Sequence, residues 1–178
     1  MQTTENFNTM NFMEELDTKM WKTKGARYNA YRRLRNKHLW SARTISVLSI
    51  YAITVSLLQL FPDIVAPEKQ HIATVAAVSF AIFILVLSIL EQSENYLLRA
   101  EHLHRCANEI SKLYDELHLL VSGNREIEKN ELELRRISDA YHDTISRYDE
   151  NHDWIDYLYF QAEHPHVFKL PPWRANLN

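Results

Sequence analysis

The chain has 178 residues, with 20 Lys and Arg against 23 Asp and Glu, a net charge of −3, two glycines and one cysteine. A lone Cys106 excludes an internal disulfide and suits a reducing cytoplasm; two glycines leave almost no turn chemistry for a sheet of tight hairpins. The slightly acidic balance argues against a general nucleic-acid binder, and the mean hydropathy of −0.35 conceals two very apolar stretches inside a polar chain.

Residues 1–43 are expected to form a cytoplasmic amphipathic helix with a basic flank. Met1 to Thr9 are polar and expected to be loose, after which Phe12, Leu16 and Met20 recur every four residues, one face of a helix. Gly25 should weaken or bend that helix. Tyr28, Tyr31, Leu34 and His38 continue the stripe, while Arg27, Arg32, Arg33 and Arg35 spread over the rest. The start of the sequence has no pattern of a cleavable signal peptide, so the first apolar run is expected to act as a start signal that stays in the protein.

Residues 44–61 and 72–90 are two runs without a charged side chain, each long enough to cross a bilayer as a helix. Leu, Ile, Phe and Val number ten in the first and twelve in the second, each contributing about −0.3 to −0.6 kcal/mol near mid-membrane. Both runs are apolar all round rather than along one stripe, which disfavours a pair of core helices in a soluble bundle. We therefore expect a transmembrane helical hairpin, with residues 62–71 as a short extracytoplasmic loop. Seven Lys and Arg lie in the twenty residues before Thr44, whereas the link holds only Lys69 beside Asp63 and Glu68. Both termini should then face the cytoplasm, with Trp40 and Tyr96 near the inner headgroup level.

Residues 91–160 are predicted to continue without a break from the second span into a cytoplasmic helical hairpin. Leu103, Cys106, Ile110, Leu113, Leu117 and Leu120 alternate spacings of three and four, the seam of an oligomer or of a bundle. Ser122, Gly123 and Asn124 mark a turn, after which Ile127, Leu134, Ile137, Tyr141, Ile145 and Tyr148 share a face. An antiparallel return gives a three-helix bundle with the N-terminal segment. Residues 161–178 hold three prolines and are expected to be an extended C-terminal tail.

Chemistry-bearing patterns are sparse. Nine histidines invite a metal hypothesis, but His102 and His104 point to different sides of a helix, and His164 and His166 lack Cys or carboxylate partners at ligand spacing. His102 and Cys106 do share a face, yet Cys106 lies on the apolar seam and reads as packing. No phosphate-cradling Gly-rich loop and no catalytic triad context occurs, so neither enzymatic activity nor a cofactor is expected. The spans carry the clearer signal. Ser46, Ser49, Ala52, Ser56 and Gln59 form a small and polar face on the first, and Ala73, Ala77 and Ala81 a small-residue face on the second. Such faces serve close helix packing, or line a water-filled path if several copies assemble around an axis. No ionisable residue lies within either span to mark a transporter's coupling site.

GARYNAYRRLRNKHLWS (Gly25 to Ser41), NYLLRAEHLHRCANEISKLYDEL (Asn95 to Leu117) and YHDTISRYDENHDWIDY (Tyr141 to Tyr157) resemble segments of the SLATT family. These are two-transmembrane effector domains associated with nucleotide-signalling systems in bacteria, and the resemblance covers roughly Trp21 to Phe160. It implies an all-α effector at the bacterial inner membrane that acts in anti-phage conflict by forming a pore or disrupting the membrane, ending in abortive infection. It implies as partners membrane lipid, further copies of the chain, and a co-encoded nucleotide synthetase, nucleotide-sensing protein or reverse transcriptase. A membrane-anchored scaffold recruiting a cytosolic enzyme through the Phe12–His38 or Ile127–Tyr148 faces is the alternative. The matched polar positions are Arg27, Asn29, Arg33, Arg105, Asn108, Glu109, Asn151, His152 and Asp156. Bundle salt bridges and caps account for them at least as well as ligand contact.

Overall fold

Uncharged apolar runs and alternating three-four spacings both call for helix. The computed structural model describes the backbone of residues 2–61, 67–122 and 127–169, and the side chains of residues 10–61, 68–120, 122 and 131–169. Among these described residues there are six α-helices, a short 3₁₀ turn at Pro67–Lys69 and no strand. The helices are α1 (Gln2–Leu58), α2 (Gln70–Glu94), α3 (Tyr96–Ser122), α4 (Ile127–Arg147), α5 (Trp154–Glu163) and α6 (Pro165–Phe168). The Gly123 turn, most of the proline-bearing link and the end of the tail lie outside the described residues.

The chain divides into two units, Met1–Arg33 with Leu98–Asn178, and Leu34–Leu97. In the first, α1, α3 and α4 enclose a core of Leu16, Met20, Cys106, Ile110, Leu117, Leu120, Leu134, Ile137 and Tyr141, with Leu113 and Ile145 partly buried against it. Large side chains such as Met20, Ile110 and Ile137 are fully buried, each stabilising the fold by about 1.5–3 kcal/mol. Phe12, expected on this face, is exposed, and Met13 packs on the core instead. The helix face is therefore set by Leu16 and Met20 together with Met13, a spacing of three and four rather than four throughout.

Three further expectations are corrected in this unit. α1 starts at Gln2, so the first residues are helical rather than loose. Gly25 does not interrupt α1: a Cβ there would overlap the ring of Phe160, so glycine is present for close approach and not as a breaker. The segment after residue 160 is not wholly extended, because α5 runs to Glu163 and Pro165 opens α6. Proline's fixed φ suits a first helical turn, where its missing N–H costs nothing. Trp21, Phe160, His164 and Phe168 pack their rings together there, at centroid distances of 4.6 to 6.0 Å. The bundle thus gains α5 and α6 beyond the three helices expected.

In the second unit the later part of α1 and α2 form a hairpin. α2 has 25 residues, about 37 Å at 1.5 Å per residue, enough for a hydrocarbon core of about 30 Å. It ends at Glu94, and Asn95 adopts a left-handed backbone (φ 49°, ψ 35°). The uninterrupted run from the second span into α3 is therefore broken at one residue. Asparagine is among the few side chains that tolerate this conformation.

Candidate functional site

The hairpin's two faces can be sorted residue by residue. Ser49, Ala52 and Gln59 on α1 and Ala73 and Ala77 on α2 are half-buried, whereas Ser46, Ser56 and Ala81 are exposed. The polar and small stripe is thus split: part of it packs within the hairpin and part remains on the outside. The hydroxyls are satisfied locally. Ser46 donates to the Ala42 carbonyl at 2.9 Å, Ser49 to Ile45 at 2.8 Å and Ser56 to Ala52 at 2.9 Å, so none depends on water to meet its hydrogen bond. Gln59 Oε1 accepts from the Thr74 hydroxyl at 3.0 Å, which ties the two helices near their link. Thr74 also lies 2.9 Å from the Gln70 carbonyl and shares its proton between the two.

At the other end of the hairpin His38 Nδ1 meets Glu91 Oε1 at 3.2 Å, with Glu91 15 % exposed. The sequence showed both residues but not their pairing, since contact between two helices has no signature in either alone. The expected headgroup-level aromatics carry cations: the Arg43 guanidinium lies 5.5 Å from the Trp40 ring centre and the Lys37 ammonium 5.6 Å from that of Tyr96. Between these levels the surface is apolar. Ile50, Ile53, Leu57, Val75, Val78, Ile82, Leu85 and Ile89 are all exposed, and no residue of α2 is buried.

In the bundle, the polar positions matched by the family resemblance act mostly as struts. Arg33 grips the fully buried Asp156 with two parallel bonds, Nε to Oδ1 at 2.7 Å and Nη2 to Oδ2 at 2.9 Å. The same carboxylate accepts from the Asp153 N–H at 2.9 Å, closing a capping box at the start of α5. Asn29 reaches Glu163 at 3.2 Å and Arg32 reaches it at 3.3 Å, so one stretch of α1 holds both ends of α5. Tyr28 donates to Asn108 at 2.6 Å, Tyr148 to Glu109 at 2.7 Å, Asn151 accepts from the His152 N–H at 2.9 Å, and Arg105 pairs with Glu101 on the surface.

Arg27 is the exception. It is 2 % exposed, donates to Cys106 Sγ at 2.8 Å, and leaves Nε without a partner. Burial pushes the Cys106 thiol up, against the opposing pull of Arg27, so a neutral sulfur accepts the guanidinium's bond. Burial likewise raises Tyr141, whose hydroxyl pairs with Thr23 at 2.9 Å. His152 is held below the ordinary imidazole value by burial and then by Arg27.

Among the described residues no group of three or more His, Cys, Asp or Glu is placed to hold a metal ion. Leu103, Ile110, Leu117 and Leu120 are buried within the single chain and Leu113 partly so, placing the seam inside the bundle.

Among the described residues, two helices long and apolar enough to cross a membrane stand uncovered on the same polypeptide as a buttressed helical bundle, an all-α arrangement suited to membrane association. The chain belongs to the SMODS and SLOG-associating 2TM effector domain family 5, whose model matches residues 9–175. No curated protein and no solved structure matches it. Family membership makes the protein a membrane effector of conflict systems.

Proposed function

We propose that the protein is a multi-pass effector of the bacterial inner membrane, with both termini cytoplasmic, whose hairpins self-assemble on activation and form a pore or disrupt the bilayer. The carrying observation is the divided stripe: the hairpin covers Ser49, Gln59, Ala73 and Ala77 and leaves Ser46, Ser56 and Ala81 facing outward. Small residues on an uncovered face permit close approach of another helix, which a second copy supplies. The basic residues before Thr44 support the orientation. Catalysis has no part in this reading, and abortive infection is its cellular outcome. A co-encoded nucleotide synthetase, nucleotide-sensing protein or reverse transcriptase supplies the trigger, which must bind the silent and assembled states with different affinity.

The test is protein stoichiometry in nanodiscs together with ion leakage from loaded vesicles. Several hairpins per disc and leakage that falls steeply in a Ser46→Leu, Ser56→Leu double variant are expected. A monomer under every trigger condition, on vesicles that stay sealed, would overturn the reading. The scaffold alternative draws on bundle side chains left in the open, Leu119 and Leu132 at 71 % and 72 % exposure. The faces first considered for recruitment are used internally, since Leu16, Met20, Leu134, Ile137 and Tyr141 are buried. A stoichiometric partner without leakage would favour that alternative.

A further inference from the structure

The carboxylates around α5 are already engaged: Asp153 and Asp156 by Arg33, and Glu163 by Arg32. Lys19 and Lys22 on α1 have no carboxylate partner among the described residues. Their ammonium groups lie instead 5.8 Å from the Tyr141 ring centre and 5.7 Å from that of Phe168. Both lysines line a pocket of about 460 Å³ together with Thr23, His152, Trp154 and Tyr157. Trp154 is 69 % exposed, and its ring centre lies 5.8 Å from that of Tyr157. His152 contributes a buried Nδ1 that has no hydrogen-bond partner. Arg27, buried and without a carboxylate partner among the described residues, adds positive charge that His152 feels.

Two ammonium groups without a carboxylate partner among the described residues, a buried ring nitrogen without a hydrogen bond and two aromatic side chains thus line one pocket. Two ammonium groups suit an oxyanion of multiple charge, which lysine binds as a point charge. Open aromatic faces suit a flat ring, where stacking contributes about 1–3 kcal/mol. The volume falls in the range of small-molecule sites, about 300–1,000 Å³. We propose that this pocket binds a phosphorylated aromatic ligand of nucleotide size, its phosphate taken by Lys19 and Lys22 and its ring laid against Trp154 and Tyr157. Thr23, whose hydroxyl also pairs with Tyr141, and His152 line the stretch between the two. The proposal goes beyond the effector reading, and binding is measured without any leakage assay, so either can fail alone.

The test is calorimetric titration of the full chain in detergent micelles with ATP, AMP, adenosine, inorganic phosphate and glycerol 3-phosphate. AMP and ATP should bind, with adenosine and inorganic phosphate at least about tenfold weaker than AMP, because each keeps only half of the contacts. Trp154→Ala should weaken AMP about tenfold, and Lys19→Ala with Lys22→Ala about a hundredfold. The paired Lys→Arg variant should retain binding. Helical content and unfolding midpoint are read on each variant, so that loss of binding is separated from loss of fold. No heat from AMP or ATP at millimolar concentration overturns the proposal. So does binding unchanged in the alanine variants, and so does glycerol 3-phosphate matching AMP, which would assign the lysines to a lipid-type headgroup phosphate.

Discussion

The two units of this chain are both helical, yet they treat the same side chains in opposite ways. In the bundle Met20, Ile110, Leu117 and Ile137 are enclosed and Asp156 is buried only because Arg33 meets it with two bonds. In the hairpin Ile50, Ile53, Val75, Ile82 and Leu85 stand uncovered, and the hydroxyls of Ser46 and Ser56 turn back on their own carbonyls. The bundle is organised for water: apolar atoms leave the solvent and most polar ones either reach it or find a strong partner, Arg27 Nε and His152 Nδ1 being exceptions. The hairpin is organised for a solvent that welcomes apolar surface and offers no hydrogen bonds, so its serine hydroxyls turn to their own helix and Gln59 meets Thr74 across the pair. What separates the units is therefore both how apolar they are and on which side, inside or outside, the apolar atoms are placed.

The largest expected effect lies on the bundle side. Asp156→Ala removes both guanidinium bonds and the carboxylate that caps α5. Breaking a buried pair from one side costs about 3–5 kcal/mol; Arg33 keeps some access to water, so the lower end applies. Denaturant unfolding followed by tryptophan fluorescence should report this loss, with α5 melting early, while membrane insertion is unchanged. If insertion fell with bundle stability, the two units would not be separable in the way their packing indicates.

A charge placed on each type of exposed apolar surface sharpens the contrast next. Ile82 is 56 % exposed on the second span and Leu119 is 71 % exposed on the bundle. Lysine at a mid-span position costs about 2.5–3.5 kcal/mol on insertion scales, whereas a surface substitution in water stays within about 0.5 kcal/mol. Ile82→Lys should sharply reduce the inserted fraction in a glycosylation-mapping assay, and Leu119→Lys should leave insertion and stability as they were. Equal behaviour of the two variants would mean that the hairpin's outer surface faces water.

How much of this was legible in the chain follows the same division. The spans could be read directly, because eighteen or so residues without a charge have few alternatives to lipid, and the seam from Leu103 to Leu120 could be read from its period. Contacts between helices could not. In the sequence Arg27 falls off the apolar stripe with Arg32, Arg33 and Arg35, yet it is buried against Cys106, a pairing that depends on where α1 meets α3. The break at Asn95 carries no glycine or proline to mark it. Pro165, expected within an extended tail, opens α6 instead, since proline fits the first turn of a helix as well as an extended segment. The spacing from Asp153 to Asp156 was a visible capping box and would have placed α5. For the stripe, sequence supplied the residues but not the division between those the hairpin covers and those it leaves outside.

Gly25 offers the smallest effect and a test of sign. In an exposed helix interior, replacing glycine with alanine stabilises by about 1 kcal/mol, because the backbone loses less entropy on folding. Here the added methyl would enter the space of the Phe160 ring, which is 3 % exposed and packed between Trp21, His164 and Phe168. Overpacking of that kind costs about 1–3 kcal/mol, enough to offset or exceed the propensity gain, so Gly25→Ala should destabilise by about 1 kcal/mol net. Phe160→Leu alone loses ring contacts, but combined with Gly25→Ala it removes the overlap and leaves the propensity gain. The double variant should therefore be more stable than the sum of the two single changes implies, by about 1–2 kcal/mol in a thermodynamic cycle. A cycle that closes with no coupling, or a stabilising Gly25→Ala, would show that α5 does not approach α1 this closely and that the glycine is a tolerated weakness in the helix after all.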